Sequence, residues 1–106
     1  MPQMRPDATG IPWYEVDDYL QIRRIMADGD RLPLLYSHWL KRAEEAERRI
    51  VASGVRAIRV PIDPEQFRIW CKIRILRCDS AARGRFIHEK VRDLVMSDQV
   101  RGKPAI

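Results

Sequence analysis

The sequence predicts one mostly α-helical domain of the α+β class, in the order helix–helix–strand–helix–helix, with one short β-strand. Apolar residues recur at helical spacing in four segments, whereas one segment alternates with a period of two. A length of 106 residues with 45% hydrophobic and 33% charged residues suits a single domain with a modest core. We divide the chain into an irregular leader (1–12), a helical pair (13–54), a strand–helix–helix unit (55–96) and a flexible tail (97–106).

The leader and the first two helices are defined by turn residues and apolar spacing. Three prolines and Gly10 predict an irregular leader, and Asp17 is a suitable N-cap for a helix that ends near Ala27. The second helix, over about 34–52, has the clearest periodicity. Its apolar positions are Leu35, Trp39, Ala43, Ala46 and Ile50.

The stretch RAIRVPIDPEQF (56–67) reads as a strand that leads directly into a helix. Ile58, Val60 and Ile62 alternate with smaller or charged residues, which predicts one buried face. Pro61 has no N–H group, so the strand is expected at a sheet edge, paired on one side only. Since buried backbone groups need hydrogen-bond partners, a partner strand must exist.

The last two helices are marked by capping residues. Asp63 and Pro64 begin a helix that should end near Leu76, and Asp79 caps a final helix over about 80–96. The inward positions expected on these helices are Phe67, Trp70, Cys71, Ala82, Phe86, Ile87, Val91, Leu94 and Val95.

The positive charge is concentrated in one block. Residues 56–92 carry 10 Lys or Arg against 4 Asp or Glu, although the whole chain has a net charge of only +5. Such a block favours acidic or polyanionic partners. No segment predicts a membrane span or a secretory signal, so we expect a cytoplasmic protein. Cys71 and Cys78 match neither a redox nor a zinc spacing, and we expect no metal and no cofactor.

The order strand, helix, short turn, longer helix resembles the ribbon-helix-helix family of DNA-binding proteins. The resemblance implies an obligate homodimer in which the strand pairs antiparallel with its copy in a second chain. The dimer interface would then be formed by Ile58, Val60 and Ile62. This arrangement would supply the missing partner of an edge strand.

The same resemblance implies where DNA would bind. Arg56 and Arg59 would face the major groove, while Arg77, Ser80 and Arg83 would meet phosphates near the start of the final helix. The chain departs from the family in several respects, one of which is the turn between its helices. The family usually has glycine in the turn between its helices, whereas this chain has Ile75, Leu76 and Arg77 there, without glycine until Gly84.

The segments YLQIRRIMADGDRLP, WLKRAEEAER, IDPEQFRIWC and DSAARGRF also look like those of a family of short uncharacterised bacterial proteins. That similarity covers most of the chain. It implies a bacterial source without a particular activity.

Two function classes follow from these observations. The first is a small DNA-binding regulator or antitoxin-like protein, and the alternative is a non-enzymatic protein-interaction module with an acidic partner. As a separate alternative to the dimer, the N-terminal helical pair would cover the strand within one chain, leaving a monomer with a short hairpin. An enzyme is not expected, because His38 and the nearby acidic residues show no catalytic spacing, and no catalytic residue is assigned.

Overall fold

The computed structural model of the chain describes residues 8–102. Within them the mostly helical class with a small sheet is confirmed. The strands are β1 (Ala8–Trp13) and β2 (Arg56–Pro61), and the helices are α1 (Tyr19–Ile25), α2 (Tyr36–Ala52), α3 (Pro64–Ile73) and α4 (Ser80–Gly102). Short 3-10 turns, Val16–Asp18 and Gly29–Arg31, flank α1.

The partner of the lone predicted strand comes from the leader of the same chain. β1 and β2 pair in parallel, from Ala8 opposite Arg56 to Trp13 opposite Pro61. The N–H of Ile62 donates to the carbonyl of Trp13 at 3.0 Å. Because backbone groups alternate in direction along a strand, Pro61 then points away from β1, as expected for an edge position.

This pairing corrects the expectation of an irregular leader. Residues 8–12 are part of β1, and residues 1–7 lie outside the described part of the chain. Gly10 and Pro12 suggested irregular structure, but both fit a strand here. By the same alternation, Pro12 directs its missing N–H position away from β2, so it removes no hydrogen bond from the ladder.

The N-terminal helices form the crossover between the two strands. Parallel neighbours need a connection of a dozen or more residues, and α1 and α2 supply it. Adjacent residues of a strand face opposite sides of the sheet. Gly10 faces α4, where an added Cβ would lie 2.3 Å from Ile87, whereas Trp13 meets Trp39 of α2 at 5.4 Å between ring centres. The sheet therefore lies between α2 and α4.

The residues assigned to a dimer interface belong to the core of one chain. Val60 and Ile62 are 3% and 2% exposed without any second chain, and Ile58 packs against the same cluster. The dimer was inferred because β2 lacked a partner. Since β1 supplies that partner, the reason for an obligate ribbon dimer no longer applies.

Aromatic side chains fill much of the core. Tyr14, Tyr19, Tyr36 and Trp39 form one group, in which the Tyr36 hydroxyl donates to the Tyr14 carbonyl at 2.9 Å. Phe67, Trp70 and Phe86 form a second group between α3 and α4. The predicted inward positions Trp39, Phe67 and Phe86 are confirmed.

Several predicted helix ends differ from the observed ones. Asp17 lies in the first 3-10 turn instead of capping α1. Helix α3 ends at Ile73, before the predicted Leu76, because the backbone changes conformation at Ile75. Helix α4 continues to Gly102, because no glycine or proline interrupts residues 97–101. The predicted tail is therefore helical over 97–102, and 103–106 lie outside the described residues.

Candidate interaction surface

Arg59, assigned to base recognition, is held against α2 by an ion pair. Its Nε lies 2.6 Å from Glu47 Oε2, and one terminal nitrogen lies 2.8 Å from Oε1. The guanidinium carbon also lies 3.9 Å from the ring centre of Trp13. Hydrogen bonding to Arg59 lowers the pKa of the Glu47 carboxyl. Arg59 thus directs its donors to a carboxylate of its own chain, although its side chain is half exposed.

Arg83, assigned to phosphate contact, is a buried anchor for α4. Its two terminal nitrogens each donate to an oxygen of Asp28 at 2.8 Å. The residue is only 9% exposed. Hydrogen bonding from Arg83 lowers the pKa of the Asp28 carboxyl. This bidentate pair fixes the start of α4 to the loop after α1.

Arg77 and Ser80 do lie together, beside the first turn of α4. They line one groove of about 440 Å³, which Arg31 also borders. Asp79 caps the helix as predicted, since its Oδ1 accepts from the N–H of Ala82 at 2.9 Å. The carboxylates of Asp28, Asp30 and Asp79 line the same groove, so basic and acidic groups are mixed there. Arg56 is elsewhere, at the start of β2.

Much of the basic block is neutralised inside the fold. Between residues 56 and 92, Arg59, Arg68, Arg74, Arg83 and Arg85 each lie within 4.0 Å of a carboxylate oxygen. Within the described part of the chain, four exposed cations of the block have no carboxylate at that distance. These are Lys72, Arg77, Lys90 and Arg92. Two of the four, Lys72 and Arg77, belong to the end of α3 and the loop after it.

The same region exposes three large apolar side chains. Ile69 is 44% exposed, Ile73 is 73% exposed, and Ile75 is 94% exposed. The buried side of α3 is formed instead by Phe67 and Cys71. Ile69 and Ile73 are four residues apart, so they share the solvent side of the helix. We call Ile69, Ile73 and Ile75 the isoleucine surface.

Ile75 also has an unusual backbone conformation. Its φ is +56°, the left-handed region, and it is the only residue other than glycine with a positive φ within 8–102. Its N–H still donates to the Lys72 carbonyl at 3.1 Å. Glycine is the usual residue at this position after a helix. A β-branched residue there costs roughly 1–2 kcal/mol.

Charge lies along one border of the isoleucine surface. At 100° per residue, Glu65, Arg68 and Lys72 fall on one side of Ile69, and neutral Gln66 falls on the other. Arg68 is paired with Glu65, so Lys72 carries the unbalanced charge on that side. Arg77 follows Ile75 in the loop.

The isoleucine surface was not assigned a role from the sequence. Ile69, Ile73 and Ile75 were absent from every predicted site. One signal was available, since the turn after α3 has Ile75 where a helix C-terminus commonly has glycine. Helical spacing also places Ile69 and Ile73 away from Phe67 and Cys71.

Groups that an enzyme could use lie in more than one place, since Ser80 and His88 line a groove of about 480 Å³ between β1 and α4. His38 is exposed on α2, whereas Tyr14 is buried and burial raises its pKa to about 12. Burial likewise raises the pKa of the Cys71 thiol to about 12, which disfavours the nucleophilic thiolate. Across residues 8–102, no three His, Cys, Asp or Glu side chains gather as metal ligands. No described helix is long and apolar enough to cross a membrane.

Comparison with protein-family models, with curated proteins and with solved structures finds no match to the chain.

Proposed function

We propose that the protein is a non-enzymatic interaction module that binds an acidic protein partner through the isoleucine surface. The observation that carries this proposal is Ile75, a nearly fully exposed isoleucine in a conformation that favours glycine. Lys72 and Arg77 supply the charge beside it.

The first support is energetic. The left-handed conformation of Ile75 costs free energy, and a side chain that is 94% exposed returns almost none of it through burial. Backbone strain of this kind concentrates at functional positions. Contact with another molecule would bury Ile75 together with Ile73, which is also mostly exposed.

The second support is the chemical character of the surface. Protein interfaces have an apolar centre with a polar rim, and the isoleucines with Lys72 and Arg77 follow that pattern. Nucleic-acid interfaces are more polar and more strongly basic. Two of the arginines assigned to ribbon-type DNA binding are also engaged in ion pairs within the chain, since Arg59 binds Glu47 and Arg83 binds Asp28.

The test uses two variants of the surface and one matched control. Ile73→Ser with Ile75→Ser removes the apolar centre, and Lys72→Glu with Arg77→Glu reverses the charge. Lys41→Glu with Arg49→Glu makes the same charge change on the exposed side of α2. Each immobilised protein captures partners from the lysate of its source organism, and each candidate is then purified and titrated against the four proteins.

We expect an acidic protein that binds the wild type and the α2 control but not the two surface variants. Its affinity should fall as salt is raised, because rim charges contribute to the encounter. Equal binding by all four proteins would refute the proposal. Salt-dependent binding of a DNA duplex that only the charge-reversed surface variant loses would favour the nucleic-acid function instead.

A further inference from the structure

The shape of the isoleucine surface indicates how a partner would lie on it. Ile69 and Ile73 are one helical turn apart on α3, and Ile75, the most exposed of the three, follows two residues after the helix ends. Ile69 and Ile73 therefore form a narrow ridge along a short helix, not a pocket. Ridges of side chains on one helix pack into the grooves between side chains on another helix.

An extended peptide would find fewer backbone groups to bind, because strand addition needs a sheet edge. Strand addition requires free N–H and C=O groups at a sheet edge, and each edge of this two-stranded sheet contains a proline. Pro12 and Pro61 both occupy outward-facing positions, where their missing N–H groups interrupt an added ladder. The geometry of the described residues thus favours a helix as the bound element.

The charged side chains beside the ridge lie along one of its flanks. Glu65, Lys72 and, further out, Arg68 border the ridge on one flank, whereas the other flank presents Gln66. Only Lys72 lacks a carboxylate, since Arg68 is paired with Glu65. Arg77, two residues after Ile75, is a second cation without a carboxylate within 4.0 Å. A complementary partner would place carboxylates along one edge of its apolar face.

We infer that the isoleucine surface binds an amphipathic helix with acidic residues along one edge. This inference rests on the proposed function and specifies its partner. The helix would carry apolar residues at helical spacing facing Ile69, Ile73 and Ile75. Its acidic edge would face Lys72 and Arg77, so that charge fixes its orientation.

Three synthetic peptides of equal length test this inference on the full chain. The first has leucines at helical spacing with glutamates along one edge. The second has the same composition in scrambled order, and the third has lysine in place of every glutamate. Binding is followed through the backbone amide signals of the isotope-labelled protein, and dissociation constants are taken from the titrations.

We expect the acidic peptide to bind at least about tenfold more tightly than the scrambled peptide. Its signal changes should be confined to residues 66–77. In the Lys72→Glu, Arg77→Glu protein the preference should reverse in favour of the lysine peptide. Matched charge reversal is a strict test, because a nonspecific apolar contact would not respond to it.

Two results would overturn the inference in distinguishable ways. If the acidic and scrambled peptides bind alike while the captured partner still depends on the isoleucine surface, the helical mode is wrong and the proposed function stands. If neither a captured partner nor a peptide needs Ile73 and Ile75 for binding, both the helical binding mode and the proposed function are refuted.

Discussion

Replacing Ile75 with glycine is expected to stabilise the fold, although the change removes an entire side chain. The side chain is 94% exposed, so its loss forfeits almost no burial. The hydrogen bond from its N–H to the Lys72 carbonyl uses only backbone atoms and can persist. Glycine relieves roughly 1–2 kcal/mol of left-handed strain, against about 0.5–1 kcal/mol of extra entropy lost on folding. We therefore expect the free energy of unfolding to rise by about 0.5–1 kcal/mol.

The measurement is equilibrium unfolding in urea, where this gain would raise the midpoint by roughly half a molar. Ile73→Gly is the matched control, because Ile73 is also mostly exposed but lies in the last position of α3. There glycine should destabilise the helix by about 0.5–1 kcal/mol. A decrease in stability for Ile75→Gly, with the same sign as the control, would show that Ile75 is not strained.

Three further substitutions test the packing and the electrostatics. Gly10→Val should destabilise the fold by about 1–3 kcal/mol, because the valine Cβ would lie 2.3 Å from Ile87 Cγ2. The measurement is thermal unfolding, and an unchanged melting temperature would mean that α4 is not packed on β1. Trp39→Ala should cost about 3–5 kcal/mol in urea unfolding, since the ring is buried among four other aromatic rings, and a near-neutral result would contradict the assigned core. The pKa of Asp28 is lowered by Arg83, so its stabilisation should be complete above the ordinary carboxyl pKa and be lost as the pH falls through the lowered native value. Asp28→Asn should remove this part of the acid dependence, and identical pH profiles for both proteins would show that the pair contributes nothing.

The parts of the fold that depend on neighbouring residues could be predicted from the sequence. Asp63 and Asp79 mark helix starts through hydrogen bonds to residues three positions later, so a short window contains the whole signal. Pro61 placed β2 at an edge for an equally local reason, the absence of an N–H group.

The parts that depend on distant residues could not be predicted. Strand β1 is defined by its pairing with β2, which lies far along the chain. The local residues Gly10 and Pro12 indicated irregular structure instead of a strand. Arg59 was predicted to point outward from β2, but its partner Glu47 lies on α2, 12 residues earlier in the chain. The glycine missing from the turn at Ile75 was noted as a departure from a family pattern. Only the backbone angle shows that isoleucine occupies the glycine conformation.

The crossover topology of the sheet also constrains the order in which the chain can fold. Strand β1 is synthesised before both helices of the crossover, and its partner β2 follows them. Helix α4, which packs against Gly10, comes later still. Pairing therefore closes a long loop, a step that slows folding because its entropy is lost before the contact forms. Fragments that begin after Trp13 would leave β2 without its partner, so deletion of β1 should destabilise the fold.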